Sequence, residues 1–211
     1  YSLSAQDWPG LNRFQQANAE TLPPKDGEQR VVFMGNSITE GWERIMPDFF
    51  TENPYINRGI SGQTTPQMLI RFRQDVVDLQ PAAVVLLAGI NDIAGNTGPS
   101  TLTMIFNNIQ SMAEIAEANE IKVIIASVLP AYDFPWRPGL EPAAKVVALN
   151  QMLKSYCQNK GFVYLDYFTP MADERNGLKA NYGDDGVHPN LTGYQVMAPL
   201  VQAAIAQALL N

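Results

Sequence analysis

Three side chains of this sequence could together perform nucleophilic catalysis. Ser37 stands in "VVFMGNSITEGW", directly after a short apolar run, and His188 is the only histidine of the chain. Asp185 precedes that histidine by three residues, in "DDGVHPN". A serine hydroxyl is a poor nucleophile without a base, and an imidazole oriented by a carboxylate is a suitable base. The residue types therefore suggest Ser37 as a nucleophile, His188 as its base and Asp185 as the group that orients the base.

Each of these residues also has a simpler interpretation. "S-I-T-E" at residues 37–40 matches a capping box, in which Ser37 is the N-cap and Glu40 reaches back to its amide. A single histidine is more often a surface residue than a catalytic one. Pro189 disfavours helical geometry at His188, so the imidazole is expected on a loop. A serine at a helix start can serve as a cap and as a nucleophile, because the nearby backbone N–H groups stabilise anions.

Acyl transfer also needs hydrogen-bond donors for the negative charge that develops on the carbonyl oxygen. The backbone N–H groups of Ser37 and Gly62 and the side-chain amide of Asn91 could supply three such donors. Gly62 stands in "SGQTT" and Asn91 in "GIND", each shortly after an apolar run. Both are also ordinary turn residues, so neither one alone indicates an oxyanion site.

The pattern of apolar runs predicts how these residues are positioned. Short continuous runs alternate with helix-like stretches, which is typical of a parallel sheet covered on both faces. In such a sheet the ligand site lies at the carboxyl ends of the strands, which is where these polar groups fall. The predicted strands are 31–35, 55–60, 83–88, 122–129 and 162–168, and the predicted helices are 40–50, 64–79, 101–119, 142–160 and 191–210.

Taken together, the four short stretches that contain Ser37, Gly62, Asn91 and His188 resemble the sequence blocks of the SGNH hydrolase superfamily, also called the GDSL-like esterases and lipases. The resemblance spans most of the chain, and four blocks in the expected order are far more specific than any one of them. The chain departs from the family name by having Asn36 and Ile38 where it spells Asp and Leu. The matching blocks are G-N-S-I at 35–38, the glycine at 62, G-x-N-D at 89–92 and D-x-x-H at 185–188.

The resemblance implies a three-layer α/β/α, flavodoxin-like fold with five parallel strands in the order 2-1-3-4-5. It implies ester hydrolysis through an acyl-enzyme on Ser37, with His188 and Asp185 as the relay and with neither metal nor cofactor. Ser37, Gly62 and Asn91 would form the oxyanion hole. Two alternatives from other classes are a non-catalytic carbohydrate- or anion-binding module on this fold and a flavodoxin-like phosphate binder.

Aromatic residues near the expected site bear on the substrate. Trp42, Tyr132, Phe134 and Trp136 could stack on sugar rings, although each could equally fill the packing around its own loop. No lid-like apolar insertion is visible. We therefore expect a short-chain esterase acting on O-acetylated carbohydrates or small ester substrates. A lysophospholipase or thioesterase-type acylhydrolase is the second interpretation.

Composition limits the remaining possibilities. The 211 residues predict one domain over 1–211, with 1–24 as a helical extension packed on it. A formal net charge of −7 without a basic cluster argues against nucleic acid, and no apolar run is long enough for membrane insertion. The single cysteine, Cys157, is expected to be a bystander. A start at Tyr1 fits a processed, exported (periplasmic or extracellular) protein and equally a trimmed cytoplasmic one; the oligomeric state stays open.

Overall fold

The computed structural model describes residues 7–210, and its centre is a five-stranded parallel sheet. The strand order is β2-β1-β3-β4-β5, as predicted, so the first strand lies inside the sheet and later strands are added on its other side. This arrangement places the ends of β1 and β3 next to each other, where the topological switch leaves a crevice. The strands are β1 Val31–Gly35, β2 Tyr55–Gly59, β3 Ala83–Leu87, β4 Lys122–Ala126 and β5 Val163–Leu165.

Helices cover both faces of the sheet and complete the predicted three-layer α/β/α fold. A short 3₁₀ turn, Val77–Leu79, leads into β3. The helices are α1 Gln15–Glu20, α2 Ser37–Ile45, α3 Pro47–Thr51, α4 Thr65–Asp75, α5 Ile90–Ile93, α6 Leu102–Ala118, α7 Pro142–Lys160, α8 Phe168–Met171 and α9 Leu191–Leu210.

Successive residues of a strand point to opposite faces, and both faces here are buried. Val32 and Met34 of β1 join the core under α4, α6 and α7, whereas Val31 and Phe33 join the core under α2, α3 and α9. All five residues of β1 are buried. The absence of polar residues from this strand follows from that double burial, and it is why the strand reads as a continuous apolar run.

The opening segment differs from the helix expected there. Residues 1–6 lie outside the described part of the chain, and only Gln15–Glu20 are helical within 7–22. The carboxylate of Asp7 accepts hydrogen bonds from the N–H groups of Leu11 and Asn12, which folds this stretch into turns. The extended and turn preferences of the Pro9–Gly10 pair interrupt a longer helix, so the prediction of a mostly helical extension was wrong.

Several other boundaries differ from the prediction: the strand expected over 122–129 ends at Ala126, and the helix expected over 64–79 ends at Asp75. Two further differences have a clear physical cause. The helix expected over 40–50 is two helices, because Met46 leaves helical geometry ahead of Pro47, which begins α3. The last strand ends at Leu165 rather than at residue 168. Ser127 Oγ accepts hydrogen bonds from the N–H groups of Tyr167 and Phe168, which turns the chain out of the sheet.

Within residues 7–210, no helix is long and apolar enough to cross a membrane. Cys157 is buried on α7, and burial raises the pKa of its thiol to about 12. A thiol that stays protonated is a weak nucleophile, so this cysteine acts as a small apolar residue in the core.

Candidate active site

Ser37, His188 and Asp185 meet at the carboxyl end of the sheet. Ser37 Oγ lies 2.9 Å from His188 Nε2, and His188 Nδ1 lies 2.7 Å from Asp185 Oδ2. The serine is the first residue of α2, directly after β1, and the other two stand on the loop before α9. These distances form a continuous hydrogen-bonded chain from hydroxyl to carboxylate, the arrangement that lets an imidazole remove a serine proton.

The second oxygen of Asp185 fixes the loop that carries the imidazole. Asp185 Oδ1 accepts hydrogen bonds from the backbone N–H of His188, at 2.7 Å, and of Val187, at 2.9 Å. Partial burial opposes ionisation, but these hydrogen bonds and the imidazole outweigh it and lower the pKa of Asp185. The carboxylate therefore stays ionised at neutral pH and can stabilise an imidazolium.

The cap of α2 is Asn36 rather than Ser37. Asn36 Oδ1 accepts the N–H of Ile38, and Asn36 O accepts the N–H of Glu40. Ser37 is the first helical residue, so the predicted capping box of Ser37 with Glu40 was wrong. The consequence is chemical, because a serine hydroxyl that does not cap the helix is free to bond His188.

The three expected oxyanion donors lie on loops that are tied together. Asn91 is buried and donates through Nδ2 to Gln63 O at 2.9 Å, which leaves the second amide hydrogen for a ligand. Gly62 has a φ of +77°, a left-handed conformation that favours glycine. Asn96 Nδ2 holds the Gly62 carbonyl at 3.1 Å. In the stretch from residue 7 to 210, neither the Ser37 nor the Gly62 N–H donates to a protein acceptor.

Glu40 connects the helix of the nucleophile to the loop of Gly62. Glu40 Oε2 accepts the N–H of Ser61 at 2.9 Å and also its hydroxyl, while Glu40 Oε1 pairs with Arg13 at 2.9 Å. Partial burial is outweighed by these hydrogen bonds, so the pKa of Glu40 is lowered. The sequence pattern assigned Glu40 to a helix cap, and this bridge was therefore missed.

Arg71 stabilises the same region from inside the core, and the sequence pattern did not predict this role. Its fully buried guanidinium donates to Gln63 Oε1, to Gly35 O and to Asp75, at 2.6, 3.2 and 2.9 Å. It thus connects the end of β1 to the loop that follows Gly62. A lone arginine at a helix position normally indicates a solvent-exposed face, so no sequence signal pointed to this role.

Two of the four aromatic residues predicted to contact substrate are in the core. Trp42 is 2% exposed and packs against Phe49 and Tyr194, with ring centroids 4.7 and 5.3 Å away. Phe134 is fully buried. Both predictions were wrong for this structure. Trp42 is five residues beyond Ser37, which on a helix is a rotation of about 140° away from the face of the serine.

Tyr132 and Trp136 remain exposed, at 52% and 47%. The Trp136 ring lies 5.8 Å from the His188 ring, centroid to centroid, with the two planes at 39°. The loop is held in place by Arg137, whose Nη1 donates to the backbone carbonyls of Ala94 and Gly95. Trp136 therefore stands directly beside the imidazole of His188.

No group of three or more His, Cys, Asp or Glu side chains in the described chain is placed to hold a metal ion. The chemistry that the arrangement can perform with its own groups is general-base activation of a hydroxyl beside preorganised N–H donors.

Comparison with known proteins identifies the family of the chain. The family model of the GDSL-like Lipase/Acylhydrolase family matches residues 33–196. The chain resembles a Bacteroides fragilis structure assigned as an acylhydrolase, at 50% identity and a TM-score of 0.95 over 97% of this chain and 99% of that one. A GDSL-like lipase from Bacteroides thetaiotaomicron is 48% identical, with a TM-score of 0.93 over 95% and 98%.

Among curated proteins, esterase TesA of Pseudomonas aeruginosa is 26% identical over 182 residues, covering 84% of this chain and 83% of its own. The family match spans all four sequence blocks, from Ser37 to His188. The chain belongs to the GDSL-like lipase/acylhydrolase family, within the SGNH hydrolase superfamily, and is a hydrolase of ester bonds.

Proposed function

We propose that this protein is a serine esterase that removes short acyl groups, with O-acetyl groups on carbohydrates as the substrate class. The observation that carries the proposal is the unbroken chain Ser37 Oγ–His188–Asp185, with 2.9 and 2.7 Å between its members. A non-catalytic binding module gives no reason for a serine, a histidine and an aspartate from distant parts of the chain to meet in this order.

The first half of the proposed cycle acylates the serine. His188 Nε2 takes the proton of Ser37 while Oγ forms a bond to the ester carbonyl carbon. The oxyanion is held by the N–H groups of Ser37 and Gly62 and by the Asn91 amide. His188 then gives its proton to the departing alcohol oxygen as the ester C–O bond breaks, which leaves an acyl-Ser37.

The second half returns the enzyme to its starting state. A water molecule takes the place of the alcohol, and His188 removes one of its protons as the water oxygen attacks the acyl carbon. When the carbon–Oγ bond breaks, His188 returns the proton to Ser37 and the carboxylic acid leaves. Asp185, ionised throughout, stabilises the imidazolium in both halves.

The surroundings of Ser37 favour a polar alcohol over a long acyl chain. The groove beside Ser37 has a volume of about 550 Å³, and Glu40, Arg44 and Ser61 line it. The half-exposed ring of Trp136 stands beside the His188 ring, on the loop after β4, whereas the Tyr132 ring is covered by the Arg175 guanidinium at 4.6 Å. Polar groups for hydroxyls beside aromatic faces for the C–H surfaces of a ring form a typical sugar site.

A rate comparison tests the proposal. We expect kcat/KM to be highest for 4-nitrophenyl acetate, lower for the butyrate and at least about tenfold lower for the octanoate, because a groove with this many polar side chains gives a longer chain little apolar surface. An acetylated oligosaccharide should release acetate, and Ser37→Ala should abolish turnover of all four substrates. A preference for the octanoate with no release from the oligosaccharide would instead support a lysophospholipase or thioesterase-type acylhydrolase.

A further inference from the structure

We propose that Arg44 forms an anion-binding subsite of the catalytic groove, so that the preferred ester substrates carry a carboxylate or phosphate group on the alcohol part. This inference rests on the proposed esterase function and further specifies that the substrate is anionic. Arg44 lines the same groove as Ser37 and His188, on the helix that begins with the nucleophile.

The geometry of α2 places Arg44 on the face of the nucleophile. Residues 37, 41 and 44 of a helix lie within about 60° of one another in projection, so they share one side. Gly41 lies between the two and has no side chain; a Cβ there would come within 3.0 Å of the Tyr194 hydroxyl. Because residue 41 is a glycine, no side chain separates Ser37 from Arg44 along this side of the helix.

Arg44 is about two helical turns beyond Ser37 on α2. Seven residues of helix separate their Cα atoms by about 10 Å. Long side chains on a helix lean back towards its N-terminus, which brings the guanidinium closer to Ser37. Burial raises the pKa of Tyr194 and the charge of Arg44 opposes that rise, which is consistent with the guanidinium lying near the groove. A Cβ built on Gly41 would lie 3.9 Å from Arg44 Nη2, so the guanidinium does lean back over the turn that follows Ser37.

Arg44 is also free to bind a ligand. Glu40 is four residues earlier, the spacing that normally forms a helical ion pair, but its two oxygens are engaged by Arg13 and Ser61. Among residues 7–210, no carboxylate lies within 4 Å of Arg44. The other carboxylate of the groove, Asp185, is bonded to His188 and to two backbone amides. Arg44 is thus the unpaired charge of the groove.

A guanidinium presents its donors in a fork that matches the two oxygens of a carboxylate or phosphate. The chain as a whole carries a charge of −7, so an anionic substrate gains nothing from the overall field and needs a local cation. Acetylated uronic acids and short acyl esters of glycerol phosphate both have an anionic group close to the ester, and the experiment separates these two sources.

The experiment measures kcat/KM for three acetyl esters: an O-acetylated methyl glucoside, the corresponding O-acetylated methyl glucuronide and acetyl glycerol 3-phosphate. The variants are Arg44→Gln, Arg44→Lys and, as a matched control, Arg73→Gln. Arg73 is exposed on α4 and does not line the groove, so its replacement changes the net charge by the same amount. The quantity compared between variants is the kcat/KM for each charged ester divided by the kcat/KM for the neutral glucoside.

We expect Arg44→Gln to lower that ratio about tenfold for at least one charged ester, Arg44→Lys to lower it less, and Arg73→Gln to leave it unchanged. The ester with the larger loss identifies the carboxylate or the phosphate as the ligand. An unchanged ratio in Arg44→Gln, or an equal loss in Arg73→Gln, would overturn the subsite. If the wild-type protein hydrolysed none of the three esters or 4-nitrophenyl acetate, the proposed esterase function itself would fail, and the subsite with it.

Discussion

Glu40 accepts two hydrogen bonds from Ser61, one from its backbone N–H and one from its hydroxyl. Because Glu40 is three residues beyond Ser37 and Ser61 directly precedes Gly62, this contact connects the nucleophile to one of the proposed oxyanion donors. Arg13 holds the other oxygen of Glu40, so the N-terminal segment takes part in the same link.

Glu40→Gln should therefore lower kcat about tenfold and leave KM nearly unchanged. The glutamine keeps one acceptor, but the Gly62 N–H is held less firmly; removing an oxyanion donor outright costs about a hundredfold to a thousandfold. The measurement is steady-state kinetics on 4-nitrophenyl acetate. Glu43→Gln is the control, because Glu43 is on the same helix and does not bond the loop. Equal kcat values in the two variants would rule out this positioning role.

Asp185→Asn should lower kcat by at least about a hundredfold. An amide in place of Oδ2 no longer stabilises the imidazolium and can favour the wrong tautomer of His188. We expect only a small loss in the free energy of unfolding, because Asp185 is partly exposed. The control is Asp184→Asn, since Asp184 bonds Asn190 and not the imidazole. Wild-type turnover in Asp185→Asn would remove Asp185 from the mechanism.

Asp92 should make stability fall as pH rises. Burial raises its pKa to about 6, against the hydrogen bonds from Thr65, so the folded protein holds this proton at pH values where the unfolded chain releases it. Between about pH 4 and pH 6 the folded state binds more protons, and its stability decreases with increasing pH by up to about 3 kcal/mol.

The measurement for Asp92 is the free energy of unfolding in denaturant, from pH 4 to pH 7, for the wild type and Asp92→Asn. Subtracting the two curves removes the other titrating groups. The wild type should lose stability relative to the variant as the pH rises through this range. A flat difference, or one of opposite slope, contradicts a raised pKa.

Trp136 should contribute to carbohydrate binding. Its ring is half-exposed beside His188, so Trp136→Ala should lower kcat/KM for an acetylated oligosaccharide threefold to tenfold more than for 4-nitrophenyl acetate, as expected for an aromatic contact worth about 0.5–1.5 kcal/mol. Trp136→Phe should recover most of the loss. Trp8→Ala is the matched control, because Trp8 has the same 47% exposure but is in the N-terminal segment and not beside the His188 ring. Equal losses on both substrates would show that Trp136 only supports its loop.

Local pattern predicted the elements of this fold well. The bounds of β1, α7 and α9 follow the prediction to the residue, because strongly apolar runs and proline or glycine ends define them. The short helices α5 and α8 were missed, since four residues give no periodicity. The last strand was predicted too long, because aromatic residues after Leu165 pack inward without pairing to β4.

The residues of the proposed relay were predictable because Ser37 directly follows β1, and because His188 is the only histidine of the chain and has Asp185 three residues before it. The residues that hold the relay in place were not predictable, because their roles depend on contacts between distant segments of the chain. Arg71 is at a helix position that reads as exposed, yet it is buried under Gly35 and Gln63. Asn36 took the capping role expected of Ser37, a choice between neighbouring residues that the sequence pattern left open. The burial of Trp42 follows from helical rotation, so sequence reasoning could have excluded it from the rim.

The most direct test of the central claim is covalent labelling of the intact protein with a fluorophosphonate, followed by mass spectrometry of its peptides. Activation of Ser37 by His188 predicts a stoichiometric mass gain on the peptide that contains Ser37, no gain in Ser37→Ala, and labelling slowed at least about a hundredfold in His188→Ala. Folded wild-type protein that stays unlabelled, or His188→Ala labelled as fast as the wild type, would contradict it.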